Sequence, residues 1–335
     1  MVLTSAVINA AVIGLGWWGR KVVADLADSP HVNIALGVDS QEQARSSVAV
    51  PTACDYESAL ADPAIDAVIL CTPHRVHSEQ IVAAAGAGKH VFCEKPLATT
   101  TEEATTAIAA VRAAGVQLGI GHERRFEPAV LELRELVRTG QIGIPLVFEG
   151  NFSQDKFLQL EPDNWRLSNA EAPVGPLSAT GIHLVDLAIA LLGRPTEVSA
   201  RLSTQATTFE NGDTLTVTMG FEKDRTAMIT AVLTTPFIGR VHVIGSQGWV
   251  EIRDREHPED PQGWDVTTVL RGSSPCHRFY EPHPTVRDNI EAFARAAAGG
   301  EPYPVSLEDM HANVAAFEAI SRSARSGRPE NVAAT

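Results

Sequence analysis

At 335 residues the chain is long enough for two domains. Its 44% of hydrophobic and 20% of charged residues are those of an ordinary globular protein, neither disordered nor fibrous. A formal net charge of −14 argues against nucleic acid as a main partner, since phosphate binding needs clustered Lys and Arg, and argues also against an anionic membrane surface. The four cysteines (Cys54, Cys71, Cys93 and Cys276) form no C-x-x-C pair, so no zinc ribbon or dithiol motif is visible. Cys71 and Cys93 each end an apolar run and read as small buried hydrophobes.

Residues 1–18 are apolar enough to imitate a signal peptide. They lack a basic start, the first cation being Arg20, and carry a glycine pattern where a cleavage site would fall, so they read as a buried strand in a cytoplasmic protein. No run is long enough to cross a bilayer. Residues 10–15 form a continuous apolar run, as a strand covered on both faces should. A helix follows over 20–28, broken by Pro30, then a strand over 32–38. Ser40 and Gln43 form a capping-box pair opening a further helix. Strands over 67–71, 90–93 and 116–120 alternate with helices over 78–88 and 100–114, the second opened by Thr100 and Glu103. This alternation predicts an α/β fold: an N-terminal Rossmann domain, residues 1–125, with a doubly wound parallel sheet.

Beyond Phe126 the period changes. A helix over 128–138 precedes β-branched, alternating segments over 145–152, 197–204, 214–221, 226–233 and 240–252. These predict a second domain, residues 126–335, with a large, mainly antiparallel open sheet. Helices are expected over 181–192, 286–298 and 307–324, and Pro-rich 256–262 reads as a surface loop.

Gly14-Leu15-Gly16-Trp17-Trp18-Gly19 is a G-x-G-x-x-G motif between a strand and a helix, the context that dinucleotide binding requires. The first glycine permits the turn, the second lets backbone approach a pyrophosphate, and the third lets helix and strand pack closely. Asp39 ends the second strand, twenty residues after Gly19; a carboxylate there accepts from ribose hydroxyls and repels a 2′-phosphate. No Arg adjoins Asp39 in sequence, the nearest following one being Arg45, so NAD is preferred over NADP. Two more strand ends carry polar residues: Thr72, Pro73, His74 and His77 after one strand, Glu94, Lys95 and Pro96 after the next. Lys95 suits a donor to a reacting hydroxyl or carbonyl, or equally half of a surface Glu–Lys pair. On the 181–192 helix His183 and Asp186 share one edge, as a proton-transferring His with its carboxylate or as a structural pair.

Together these residues resemble the Gfo/Idh/MocA oxidoreductase family. The resemblance rests on the glycine turn, Thr72-Pro73 with His77, Glu94-Lys95-Pro96, Arg124-Arg125-Phe126, Trp165-Arg166 and Gly181-Ile182-His183 with Asp186, and spans essentially the whole chain. It implies a nicotinamide cofactor contacted by Gly14, Gly16, Trp17, Trp18, Gly19, Asp39, Thr72, Pro73, His77, Glu94 and Lys95. It implies a polyol or sugar-like substrate contacted by Lys95, Trp165, Arg166 and His183, with Lys95 on the reacting oxygen and His183 as the acid–base residue. A homo-oligomer, dimer or tetramer, is implied as well. Relatives on this scaffold also include enzymes that cleave glycosides through an internal redox cycle, and a non-catalytic sensor of NAD or a metabolite is a third alternative. One departure stands out: many members carry an Asp four residues before the His, where this chain has Ala179. Either the substrate needs less acid–base help, or Asp186 or another residue compensates, or catalysis is weak or absent.

Overall fold

The computed structural model describes residues 7–334. The strand expected within residues 1–18 occupies Ile8–Ile13, and residues 1–6 lie outside the described part. Six strands form the first sheet: β1 (Ile8–Ile13), β2 (Val32–Val38), β3 (Thr52–Ala53), β4 (Ala67–Leu70), β5 (His90–Cys93) and β6 (Leu118–Ile120). Their order is β3-β2-β1-β4-β5-β6 and every pairing is parallel. This is the doubly wound dinucleotide-binding order, in which the carboxyl ends of the strands make one ligand-facing edge. The helices here are α1 (Trp17–Asp25), α2 (Glu42–Arg45), α3 (Glu57–Ala61), α4 (His77–Gly86) and α5 (Thr101–Ala114).

Local chemistry explains the helix ends. Thr100 and Glu103 form the expected reciprocal capping box, and Gly115 closes α5 in the left-handed conformation at φ +66°. The box expected at Ser40 and Gln43 does not form. Helix α2 begins after Gln41, whose N–H donates to Asp39 Oδ1 at 2.8 Å, and no side chain caps its start.

The second sheet has nine strands: β7 (Pro145–Ser153), β8 (Pro195–Ser203), β9 (Thr214–Phe221), β10 (Thr226–Val232), β11 (Ile238–Gly245), β12 (Gly248–Asp254), β13 (Trp264–Leu270), β14 (Cys276–Tyr280) and β15 (Glu330–Asn331). The order is β14-β13-β12-β11-β7-β10-β9-β8-β15; only β7 and β10 run parallel. Burial alternates along β9, with Leu215, Val217, Met219 and Phe221 inward and the threonines between them outward or half-buried. One face is thus covered and the other open. The covering elements include α6 (Pro128–Arg138) and α7 (Ile182–Leu192), the latter apolar on nearly every side and buried at every position except Ala190. Two helices close the chain, α8 (Thr285–Ala297) and α9 (Leu307–Ser326).

Two expectations need correction. The strand read over 240–252 is a hairpin: β11 and β12 are antiparallel and turn at Ser246–Gln247, a break signalled by the flanking Gly245 and Gly248. Residues 284–310 do not group with the second sheet. The chain divides into one compact unit ending at Glu123 and including Pro284–Met310, and a second of Arg124–His283 with the chain from His311 onward. Packing and hydrogen bonding hold α8 in the first unit. Phe293 meets Phe92 edge-on at 5.6 Å, and a Cβ on Gly119 would come within 2.9 Å of both rings. Asn289 donates to the Ile120 carbonyl at 2.9 Å, and the Tyr303 hydroxyl, 2.6 Å from Asn289 Oδ1, accepts the Ile120 N–H at 3.2 Å. Burying Phe293 is worth about 1.5–3 kcal/mol. Asn289→Ala removes one buried donor and one buried acceptor from this cluster and leaves the Ile120 carbonyl with the Tyr303 hydroxyl, at 3.0 Å. It is expected to lower stability by about 1–3 kcal/mol, with amide exchange rising across β5 and β6 and unchanged in β9 and β10. Uniform acceleration in both sheets would contradict this grouping.

Candidate functional site

In the first unit the site begins with the glycine turn. Gly14 has φ +91°, and a Cβ there would stand 2.8 Å from the Cys71 carbonyl oxygen. A Cβ on Gly19 would overlap the Gly14 carbonyl, so α1 reaches this close to β1 only without one. Gly16 differs: nothing lies within 4 Å of the position its Cβ would take. That open space sits at the N-terminus of α1, where no side chain caps the free N–H groups. An uncapped, exposed helix start with room for an anion to approach fits a pyrophosphate. Trp17, exposed, and Trp18 meet edge-on at 5.2 Å beside it.

Asp39 is fixed by the same turn. Leu15 N–H donates to its Oδ2 at 2.8 Å and Gln41 N–H to its Oδ1 at 2.8 Å, which leaves each oxygen a lone pair for a ribose hydroxyl. Arg45, distant in sequence, is close in space: one turn of α2 returns its guanidinium to donate to the Asp39 carbonyl at 2.7 Å and the Ser40 carbonyl at 2.9 Å. The carboxyl end of β2 therefore holds a cation as well as the carboxylate.

Beyond β4, Thr72 and Pro73 are half-buried and His74 is buried. His77, expected to touch the cofactor, is wholly buried at the first turn of α4. Nδ1 lies 2.7 Å from the Pro96 carbonyl and Nε2 2.9 Å from the Thr72 carbonyl, so it holds backbone and offers the cofactor no ring nitrogen. Burial pushes the imidazole down, against the pull of those two carbonyls. Cys93 is buried as expected, whereas Cys71 is only half-buried. After β5, Glu94 is buried and Lys95 half-buried, with a cis peptide joining Lys95 to Pro96. Burial pushes the Glu94 carboxyl up; the Lys95 charge, the Trp18 indole N–H and the Lys95 backbone N–H pull it down without cancelling the rise. The Trp18 nitrogen is buried and lies outside good hydrogen-bond geometry, so its influence is through space. A Cβ on Gly121 would collide with the Glu94 carboxylate at 2.5 Å, a constraint invisible in the sequence.

The second unit places its polar residues around Phe152. Arg124 Cζ lies 5.4 Å over the Phe152 ring, and His183 (5.9 Å) and His257 (5.4 Å) pack against the same ring. His183 stands on the first turn of α7, directly after a π-helical turn over Leu177–Gly181. In that turn Ala179 is half-buried while its neighbours are buried, so the side facing out is the side that lacks a carboxylate. Val174 precedes it at φ +52°, a conformation costly for a β-branched residue, held by the Leu177 and Ser178 N–H groups on its carbonyl at 2.8 and 3.0 Å. Asp186 is gripped by Arg125: Nε and Nη2 each donate to a carboxylate oxygen at 2.7 Å, all of it buried. Trp165 and Arg166 lie half-buried in a loop, the guanidinium 4.3 Å over the indole. Burial holds that guanidinium down to about 10, against the pull of Glu259. Asn211, unremarked in the sequence, carries this loop by donating to the Arg166 and Ala172 carbonyls at 2.8 and 2.7 Å. His257 was likewise missed because its Pro-rich segment reads as surface.

A parallel dinucleotide-binding sheet with an open glycine turn, joined in sequence to a mixed sheet with a buried helix-borne His, defines a nicotinamide-dependent oxidoreductase. The profile described as "Oxidoreductase family, NAD-binding Rossmann fold" matches residues 8–122, and that of the "GFO/IDH/MocA C-terminal domain" matches residues 130–251. The chain belongs to the Gfo/Idh/MocA family. It is similar to a scyllo-inositol 2-dehydrogenase (NAD(+)) of Bacillus subtilis, 30% identical over 96% of this chain and 95% of the relative. It is also similar to a D-xylose 1-dehydrogenase (NADP(+)) of Haloferax volcanii, 29% identical over 96% and 97%. Among solved structures, an aldose-aldose oxidoreductase from Caulobacter crescentus complexed with glycerol matches at a TM-score of 0.86. It is 27% identical and the match covers 97% of this chain and 100% of that one. Among the described residues no helix is long and apolar enough to cross a membrane.

One guanidinium, that of Arg124, serves two buried carboxylates: Glu127, at 2.8 and 3.2 Å, and Asp254, at 2.9 and 2.7 Å. Burial pushes Glu127 up to about 7 from an ordinary value near 4.5, with Arg124 opposing and Asp254 reinforcing; burial raises Asp254 as well. A carboxyl favoured in its protonated form contributes stability below its unfolded pKa and loses that contribution as pH rises through the folded one. The second unit is therefore expected to weaken from near pH 4.5 to about 7. Glu127→Gln, neutral throughout, should flatten that slope in calorimetric Tm measured from about pH 5 to about 8, and an unaltered slope would contradict the assignment.

Proposed function

We propose that the protein is an NAD-dependent dehydrogenase of a secondary alcohol on a sugar, sugar acid or cyclitol, working in the cytoplasm. The observation that carries this reading is Lys95. It follows β5 at the same carboxyl edge of the sheet as the glycine turn after β1, with the buried Glu94 carboxylate beside it. A cation set there by a buried partner can donate to a hydroxyl oxygen and stabilise the alkoxide character that develops as hydride leaves. His183 takes the hydroxyl proton. Trp165 and Arg166, half-buried with the guanidinium over the indole, offer an apolar face with polar donors, the mixture a polyol ring requires. Bound at the glycine turn, the nicotinamide supplies the hydride acceptor.

The two curated relatives act on ring polyols and sugars by name, and one uses NAD(+) while the other uses NADP(+). The preference for NAD here rests on Asp39. Its carboxylate is pinned by two backbone N–H groups and cannot swing away from a 2′-phosphate, while Nη1 of Arg45 is held by two carbonyl oxygens. Absorbance at 340 nm, with NAD and NADP run in parallel over cyclitols, aldoses, ketoses and sugar acids, tests the reading. NADH formation with one substrate group is expected. Lys95→Ala should lower turnover roughly 10²- to 10³-fold with NADH affinity nearly intact. Silence across the panel in protein that binds NADH, or near-normal turnover of Lys95→Ala, would overturn it.

A further inference from the structure

We propose that His77 is a positioning residue for Lys95, acting through the Pro96 carbonyl rather than on the cofactor. The inference rests on the dehydrogenase reading for what Lys95 does, and on geometry alone for what holds it.

His77 lies where three segments converge. It opens α4; its Nδ1 faces the Pro96 carbonyl at 2.7 Å and its Nε2 the Thr72 carbonyl at 2.9 Å. Those carbonyls belong to the turns leaving β5 and β4, so one imidazole ties together two neighbouring strand ends of the ligand-facing edge. The ring is wholly buried, and water cannot replace either contact. The surroundings are fixed too: Thr72 Oγ1 donates to Gln80 Oε1 at 2.6 Å, and Ser78 Oγ to the Glu103 carbonyl at 2.9 Å, anchoring the start of α4 on both sides.

The consequence follows from the identity of the atoms. Both partners are carbonyl oxygens, which only accept, whereas a neutral imidazole carries one N–H. One contact is then a hydrogen bond and the other an approach between lone pairs. The shorter, to Pro96, is the one that fixes the residue next to Lys95, and it needs the proton on Nδ1. A misplacement of about 1 Å at a reacting group costs up to roughly 100-fold in rate, so a brace one residue from Lys95 bears on turnover without touching substrate.

Two substitutions separate positioning from packing. The Asn side-chain nitrogen occupies the place of Nδ1 and the Gln nitrogen that of Nε2. His77→Asn therefore keeps the donor to Pro96 and His77→Gln keeps only that to Thr72, while both lose the ring. The proposal predicts that His77→Gln lowers kcat roughly 10- to 100-fold with NADH affinity and KM little changed, and that His77→Asn restores most of it. A packing role would lower Tm and kcat alike in both.

A readout independent of turnover comes from Lys95 itself. The chain has five lysines, Lys21, Lys89, Lys95, Lys156 and Lys223, so reductive 13C-methylation gives few signals, with Lys95 assigned by Lys95→Arg. Its signal and titration should move in His77→Gln and stay near wild type in His77→Asn. The 15N spectrum of the unaltered protein should show Nδ1 of His77 protonated, a test that needs no variant to fold. Equal behaviour of the two variants, wild-type turnover in His77→Gln, or an unprotonated Nδ1 would overturn the proposal. If the wild type oxidises nothing in the panel, the dehydrogenase reading fails while the Lys95 and His77 spectra still decide this one.

Discussion

The third glycine of the turn is the constraint from which the first unit follows. A side chain on Gly19 would occupy the Gly14 carbonyl, and one on Gly14 would press on the Cys71 carbonyl at 2.8 Å. Helix α1, strand β1 and the end of β4 can therefore approach as they do only with glycine at both places. Their closeness exposes the start of α1, gives Asp39 the Leu15 N–H as partner, and leaves clear the space beside Gly16. The neighbouring strand ends then fall in line, β4 delivering Thr72 and β5 delivering Glu94 and Lys95.

Each unit also buries charge, which is costly unless paired. In the first, the Glu94 carboxylate fills the space vacated by the missing side chain of Gly121, beside Lys95. In the second, Arg125 holds Asp186 in a two-pronged pair, and Arg124 bridges Glu127 and Asp254 while lying over Phe152. Gly239 leaves the room that Asp254 occupies. Asp186 Oδ1 and Oδ2 each accept one N–H from Arg125 at 2.7 Å, on the same helix that carries His183, which leaves each oxygen a further lone pair.

Much of this was legible in the sequence wherever one local rule governed the outcome. The strands Val32–Val38, His90–Cys93 and Thr214–Phe221, the helix Pro128–Arg138 and the Thr100–Glu103 box all follow from period, turn residues and caps. The glycine turn was legible for the same reason. What was not legible depends on contacts between distant residues. Arg45 lies six positions beyond Asp39 in the chain but against its carbonyl in space. Helix α8 has the amphipathic pattern of any surface helix, and only Phe92, Ile120 and Tyr303 show which sheet it serves. The burial of His77 was hidden as well, because a polar residue at a strand end looks like a ligand contact until both ring nitrogens are seen on backbone carbonyls. His257 escaped because its Pro-rich surroundings carry the composition of an exposed loop.

The central claim is that the open space at Gly16 is where a dinucleotide pyrophosphate approaches the chain. Gly16 has φ −61° and no neighbour within 4 Å of a would-be Cβ, so alanine there strains neither backbone nor packing. The most direct measurement is NADH affinity, by fluorescence titration, of Gly16→Ala set beside its Tm. The account predicts an unchanged Tm and an affinity weakened roughly tenfold or more, since the added methyl occupies ligand space and nothing else. Unchanged NADH affinity in a fully folded variant would contradict it.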